Sequence, residues 1–239
     1  MQIKPIRTRI FKEGDSLVQF VERYIPRVVE CSIVVITSKI VALAERNTRE
    51  FKNQKEKENI IKEESQWAMR TKYTWLTIKD NTVMASAGVD ESNARGKLIL
   101  LPKDSFRTAA EIRRSLKKIY GVKRLGVVIT DSRFLPLRGG AVGVALGYAG
   151  FKGIRNYKGK RDIFGRVFKF ERTDVADSIA TAAVLTMGEG NEQMPLALIT
   201  GSPVVFTDQV RRDELVIDPR EDLYQPLFER IKKIKLKRK

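Results

Sequence analysis

The order of strand-like and helix-like segments predicts an α+β fold, and three observations carry that expectation. Apolar runs of strand length at 33–37, 125–130 and 195–201 fall irregularly among helical patterns, without the strict alternation of a parallel doubly wound sheet. Residues 74–85 read as an antiparallel hairpin turning at Lys79-Asp80-Asn81. No repeat or low-complexity linker divides the 239 residues, of which 42% are hydrophobic. That is enough for one domain, or two closely joined lobes, over residues 1–239 with a basic tail at about 231–239.

Taken in order, Asp15 is expected to N-cap a helix through 16–22 that ends near Pro26. A buried strand at 33–37 feeds Ser38-Lys39-Ile40-Val41, and the Glu/Lys-rich stretch 49–70 is expected to be a surface helical region. After the hairpin, a strand at 97–101 stops at Pro102. Asp104 or Ser105 caps a helix whose Ala109, Ile112, Leu116 and Ile119 fall three or four apart, and Gly121 ends it. The strand at 125–130 is followed by a glycine-spaced segment, 139–150, in which no G-x-G-x-x-G opens a helix after a strand. Close strand packing is the better reading of those glycines. Asp174 caps a helix over 175–187, and a late strand follows at 195–201.

Composition removes several chemistries. There is no histidine, so His-based triads, His general bases and His-ligated zinc are excluded. The single cysteine, Cys31, forms no intramolecular disulfide and reads as a buried thiol, in keeping with a reducing cytosol. No apolar stretch is long enough for a membrane span, and the N-terminal residues lack a signal-peptide core, so a soluble cytoplasmic protein is expected.

The formal charge of +17 invites nucleic acid, anionic lipid or acidic metabolites as partners. Neither the C-terminal basic run nor the mixed stretch 52–62 interleaves aromatics as a stacking platform would, so nucleic acid is the weaker reading. The cluster Lys152, Arg155, Lys158, Lys160, Arg161 and Arg166, denser in glycine and aromatics, is the better candidate for holding acidic groups.

The most informative feature is an apolar strand that empties into an acid and a hydroxyl, Val127-Val128-Ile129-Thr130-Asp131-Ser132. Ala87-Gly88-Val89-Asp90-Glu91-Ser92-Asn93 ends in the same way, and Met187-Gly188-Glu189-Gly190-Asn191-Glu192 sets an acid between glycines past a helix. Three loops thus offer oxygen ligands suited to hard cations such as Mg²⁺ or Mn²⁺, and so to phosphate handling. Turn-forming Asp, Ser, Asn and Gly that merely cap elements would explain any one of them alone.

Laid end to end, these segments resemble the coenzyme F420 γ-glutamyl ligase family (CofE-like). The matching motifs are Val35-Ile36-Thr37-Ser38-Lys39-Ile40-Val41, the 87–93 segment with Leu98-Ile99-Leu100-Leu101-Pro102, and Gly126 through Ser132. Tyr157 through Arg166, Val175-Ala176-Asp177 and Met187-Gly188-Glu189-Gly190 complete the series. The resemblance implies a mixed-sheet, two-lobed, intertwined homodimer that adds L-glutamate to a substrate carboxylate through an acyl phosphate. A nucleoside triphosphate, GTP or ATP, drives the reaction, with Mg²⁺ or Mn²⁺ and a possible monovalent cation.

Carried over by position, Asp90, Asp131, Ser132 and Glu189 would ligate metal, with Ser132 where the family has Thr. Ser38, Lys39, Asn93, Met187, Gly188, Gly190 and Asn191 would meet nucleotide, as would Ile10 and Phe11 in the strip 8–11. Arg138, Lys152, Arg155, Lys160, Arg161 and Arg166 would gather substrate carboxylates, and no general base is named.

Two departures bear on the acceptor. Leu43 replaces a family lysine, and the family's Thr-Asp-Thr-x-Gly-Arg becomes Thr130-Asp131-Ser132-Arg133-Phe134-Leu135, losing the Gly-Arg pair. The chain is similar to a bacterial branch predicted to act in folate metabolism, so a folate acceptor is expected, with the deazaflavin-type acceptor of the main family as the alternative. A basic nucleic-acid-binding protein on the same scaffold is the alternative of another class. Metal-dependent stabilisation by nucleotide, against salt-sensitive retention on DNA or RNA, separates enzyme from binder.

Overall fold

The computed structural model describes residues 1–209 and 211–228; the basic run at 231–239 lies outside the described residues. The elements in order are β1 (Gln2–Ile6), α1 (Leu17–Tyr24), β2 (Ser32–Thr37), α2 (Ser38–Ala44), β3 (Thr48–Arg49) and α3 (Gln54–Glu63). Then come β4 (Trp67–Arg70), β5 (Trp75–Lys79), β6 (Thr82–Ala85), β7 (Leu98–Ile99), α4 (Ser105–Tyr120), β8 (Leu125–Phe134) and β9 (Ala141–Ala149). The chain closes with β10 (Ile154–Asn156), β11 (Arg172–Asp174), α5 (Val175–Met187), β12 (Leu196–Thr200) and the short α6 (Gln225–Phe228).

A mixed five-stranded sheet in the order β1-β12-β2-β8-β9 organises the molecule. Only β2 and β8 run parallel; β1–β12, β12–β2 and β8–β9 are antiparallel. The central strands are buried on both faces, which is why they read as continuous apolar runs. Alternation divides their side chains. Val34, Ile36, Val127 and Ile129 join a core with α1, α2 and α4, whereas Ile33, Val35 and Val128 meet α5 on the other side. A smaller cluster, Ile61, Ala87, Val89, Leu98 and Leu100, underlies the three-stranded sheet β4-β5-β6 and the pair β3–β7. The α+β class is as expected.

Several helix ends follow from local chemistry. Asp104 accepts from Arg107 N at 2.9 Å to start α4, and Gly121 ends it with a left-handed φ of 67°. Asp174 accepts from Asp177 N at 2.9 Å and starts α5 at the residue expected. The glycines of β9 do pack closely: a Cβ on Gly143 would meet Ala180 O at 2.6 Å, and one on Gly147 would meet the Ser105 backbone at 2.5 Å.

Three local expectations are corrected, and one strand is added. Ser16, not Asp15, caps α1; Asp15 binds Arg9 Nη1 at 2.6 Å and Lys12 N at 3.0 Å instead. The end of the 49–70 stretch is β4, because Trp67 to Arg70 complete the ladder of β5. Residues 2–6 form the edge strand β1, which a scan for a signal sequence passes over. Cys31 is only partly buried and sits in a turn with φ 62°.

Candidate functional site

The site forms where the two parallel strands end. Thr37 of β2 lies in register with Thr130 of β8, so Ser38 and Asp131 emerge side by side at the carboxyl ends. Open sheets bind ligands at such ends. Ser38 Oγ donates to Asp131 Oδ1 at 3.2 Å. The sequence places Asp131 and Ser132 on a loop, but β8 continues to Phe134 because β9 pairs with it throughout, with a register shift between Ile129 and Thr130. This corrects the loop expectation and has a consequence: successive side chains now face opposite ways. Ser132 opposes Gly143, whose missing Cβ points at Ala180 and Val184 of α5, so Ser132 faces α5 while Asp131 and Arg133 share the other face.

From that face, Lys39 reaches the loop before β7. Its Nζ meets Asp90 Oδ2 at 2.8 Å, Ser92 Oγ at 2.9 Å and Ser92 O at 3.0 Å, which engages all three of its donors. Asp90 also accepts from Ser92 N at 2.7 Å. Burial pushes the Asp90 carboxyl upward, but the hydrogen bonds from Lys39 and Ser92 prevail and hold it below its usual range. In this arrangement Lys39 fastens the 90–92 loop to α2; Asn93 lies just beyond it, exposed, with φ 55°.

On the α5 face, Ser132 Oγ lies 2.6 and 2.7 Å from the two carboxylate oxygens of Glu189. The glycine-rich loop that carries Glu189 is held by Glu192, whose Oε2 accepts from Gly190 N at 2.8 Å. Gly188 takes φ 84°, and a Cβ there would run into the Glu192 carboxylate. Asn191 is exposed. Thr8 N donates to Gln193 O at 3.0 Å, which brings the N-terminal strip beside this loop. Two side chains expected to meet nucleotide are turned inward. Phe11 is 5% exposed and packs on Phe20 with ring centroids 4.8 Å apart, and Met187 is 2% exposed in the core beside α5. Both are apolar enough to be worth more to the core than to a polar ligand. Ile10, by contrast, is exposed.

The expected metal ligands are therefore linked in pairs: Asp90 to Lys39, Asp131 to the neighbouring Ser38, and Ser132 to Glu189. Among the described residues no three acids come close enough to share one ion. The donors are all oxygens, as hard cations prefer, and Mg²⁺ usually takes one or two carboxylates and fills its shell with phosphate oxygens and water. The residues thus fit such an ion shared with a phosphate-bearing substrate, rather than an all-protein cage.

A residue that sequence reasoning missed lies next to Asp131. Arg133 is 5% exposed, and its Nη1 donates to Asp131 Oδ2 and, at 2.9 Å, to Ser132 O. Its Nε and Nη2 are buried with no partner, as is Thr130 Oγ1. Buried polar groups seldom lack partners, and each one left unsatisfied costs about 1–3 kcal/mol. The signal was available: with the strand extended past Thr130, Asp131 and Arg133 are i, i+2 neighbours on one face. At the start of α5, Asp174 and Asp177 form a half-buried acidic pair. Burial first, then the charge of Asp177, pushes Asp174 up to about 6; Asp177 is raised by burial, opposed by a hydrogen bond from Ala145 N and in part by the Arg133 charge.

The basic cluster falls on the β10–β11 hairpin and engages local partners. Arg155 Nη2 donates to Pro203 O, Arg161 Nη1 to Gly165 O at 2.7 Å, and Lys160 Nζ lies 5.4 Å from the Tyr157 ring centre. Lys152 and Arg166 are exposed on the same part of the chain, and Arg138 is exposed in the β8–β9 turn. No contact among the described residues joins these cations to Asp90, Asp131 or Glu189.

The family profile described as F420-0:Gamma-glutamyl ligase matches residues 5–201 of the chain. A protein named Coenzyme F420:L-glutamate ligase from Methanococcus maripaludis strain C7 is 32% identical over 231 residues, covering 89% of this chain and 92% of its own. A relative of that name from Archaeoglobus fulgidus is 29% identical over 239 residues, covering 92% and 94%. Another from Methanocaldococcus jannaschii is 40% identical over 144 residues, covering 60% and 57%.

Proposed function

Because the chain belongs to the F420-0:Gamma-glutamyl ligase family, we propose that it joins L-glutamate to a carboxylate of a deazaflavin-type acceptor at the expense of a nucleoside triphosphate. The observation that supports this reading is that Ser38 and Asp131, Lys39 and Asp90, and Ser132 and Glu189 are linked in pairs around the carboxyl ends of β2 and β8. The names of the relatives favour the deazaflavin acceptor over folate. Folate remains a second reading on one observation: Phe134, Leu135 and Leu137 are exposed in the turn just past Asp131, where flat rings would find apolar surface.

The chemistry asked of these residues is modest. An acceptor carboxylate oxygen attacks the terminal phosphorus, and the nucleoside diphosphate leaves. The glutamate amine then attacks the acyl carbon, the C–O bond to phosphate breaks, and the amine proton passes to solvent or to the leaving phosphate. Phosphoryl transfer depends mainly on positioning and on neutralising charge. Mg²⁺ or Mn²⁺, held through one or two of the candidate ligands Asp90, Asp131, Ser132 and Glu189 and otherwise by phosphate oxygens, would offset phosphate charge. Ser38 and Ser132 orient two of those carboxylates, and Lys39 fixes the loop of the third. Gly188, Gly190, Asn191, Asn93 and Ile10 are the proposed contacts of GTP or ATP, and a monovalent cation is a further candidate ion.

The same proposal holds residues 1–239 as one ligase domain, with the 46–102 region as its smaller lobe, acting as a homodimer. Two features support the dimer. β9 is an edge strand of the main sheet, and Leu137, Ile163, Phe164 and Phe170 are 85% or more exposed. Pairing would also offer a route for the exposed basic side chains of the β10–β11 hairpin to reach a site that already holds Lys39 and Arg133. Light scattering should give twice the 27.3 kDa chain mass; a monomer at micromolar concentration removes the dimer.

The ligase reading is tested by incubating the protein with triphosphate, Mg²⁺ or Mn²⁺, L-glutamate and each acceptor in turn. Mass spectrometry should find the deazaflavin acceptor gaining glutamyl residues. Turnover of folate alone would reverse the choice of acceptor, and triphosphate hydrolysis indifferent to glutamate and acceptor would reject ligation.

A further inference from the structure

Arg133 has one edge of its guanidinium occupied and the other without a partner. Nη1 is held by Asp131 Oδ2 and Ser132 O, which fixes the plane of the group. Nε and Nη2 carry no partner. These two atoms form the side-on edge of an arginine, whose parallel N–H bonds match the two oxygens of a carboxylate or phosphoryl group. We propose that Arg133 seats a substrate oxyanion of this site, gripping a carboxylate or phosphoryl oxygen pair through its Nε–Nη2 edge beside Asp131. The proposal rests on the ligase reading for the identity of its ligand, but not for the existence of the vacant edge.

Three considerations carry it. The guanidinium cannot shed its proton, so burial leaves a full charge to be answered, and Asp131 meets only one side of it. The position is right: Arg133 shares a strand face with Asp131, which touches Ser38 at the start of α2. Asp177 of α5, which feels its charge, already accepts from Ala145 N at 2.8 Å. The edge is closed to bulk solvent, so an oxyanion reaches it only as neighbouring side chains part. A group seated there is shielded from water, which suits an acyl phosphate that must wait for an amine.

Arg133→Lys keeps the charge and removes the fork. It should weaken binding of one oxyanion substrate at least tenfold while the melting temperature stays near wild type. Calorimetry on L-glutamate, acceptor and nucleotide separately identifies the source. Weaker L-glutamate or acceptor marks a carboxylate, and weaker triphosphate with unchanged diphosphate marks the phosphoryl group. Wild-type affinity for all of them overturns the proposal. If the variant does not fold, wild-type protein with ¹⁵N-labelled arginine answers instead. The Arg133 Nε–H resonance should move on adding one of the three substrates, and a resonance indifferent to all of them, as an arginine satisfied by trapped water would give, overturns it. Because these readouts are of binding, a wild-type enzyme that ligates nothing would reject the ligase reading without deciding the role of Arg133.

Discussion

The Ser38 hydroxyl donates to Oδ1 of Asp131 at 3.2 Å, joining residues 93 positions apart at the ends of two parallel strands. The other oxygen of Asp131 faces the buried Arg133 guanidinium, so this carboxylate is a structural counter-ion as well as a candidate metal ligand.

That double role changes what substitution at Asp131 should do. From sequence alone, Asp131→Ala is expected to leave the fold intact and abolish metal-nucleotide binding. With Arg133 buried beside it, removal of the carboxylate strands a charge, and destabilisation on the order of 3 kcal/mol is expected. Asp131→Asn keeps the shape and a hydrogen-bonding oxygen and is the cleaner test. Calorimetry should find Mn²⁺- or Mg²⁺-dependent nucleotide binding lost at a melting temperature closer to wild type, and retained binding would remove Asp131 from the metal site.

Lys39 and Asp90 predict an acid-side effect. The Asp90 carboxyl is lowered in the folded protein from an ordinary value of 3.8. Its contribution is therefore complete above about pH 4 and is lost as pH falls through the folded value. Lys39→Met should flatten this acid limb and, because the pair is partly exposed, reduce stability at pH 7 by no more than about 1 kcal/mol. Urea titrations at pH 3, 4 and 7 check it; an unchanged acid limb would mean that Lys39 does not set the state of Asp90.

Asp174 predicts the opposite slope. Its carboxyl is raised to about 6 against 3.8, so between those values the folded state holds more protons than the unfolded chain. Stability should fall as pH rises through that window and level off above it. Asp174→Asn retains a capping oxygen for Asp177 N and removes the charge. The variant should be more stable than wild type at pH 7 by on the order of 1 kcal/mol, with the slope reduced to what the raised Asp177 leaves. Equal slopes in the two proteins would refute the assignment.

Gly143 tests the packing of β9 on α5. An added Cβ would meet Ala180 O and Val184 Cβ at 2.6 Å, a backbone and a branch point that cannot swing aside. Gly143→Ala should cost about 1–3 kcal/mol by thermal or urea unfolding, whereas Gly139→Ala, where nothing lies within 4 Å, should be close to neutral. Equal effects at the two positions would show that β9 has room to shift.

Much of this protein was legible in its sequence. The hairpin at 74–85, the Asp104 and Asp174 caps and the Gly121 stop all depend on neighbours within a turn or a strand, where periodicity and capping chemistry act. The close packing of Gly143 and Gly147 was expected from their spacing, though its partners on α5 and α4 were not. The pairing of strands was not local. Whether β8 ended at Thr130 depended on β9 continuing beside it, and that one extension turned Asp131 and Arg133 to one face and Ser132 to the other. Burial likewise chose between roles that a motif leaves equal, drawing Phe11 and Met187 into the core while Ile10 stayed outside. The three donors of Lys39 went to a loop more than fifty residues away. The sequence by itself determined which residues can carry oxygen, charge and close packing. Only the tertiary structure decided which meet, because register and burial are set by contacts between segments that no local pattern contains.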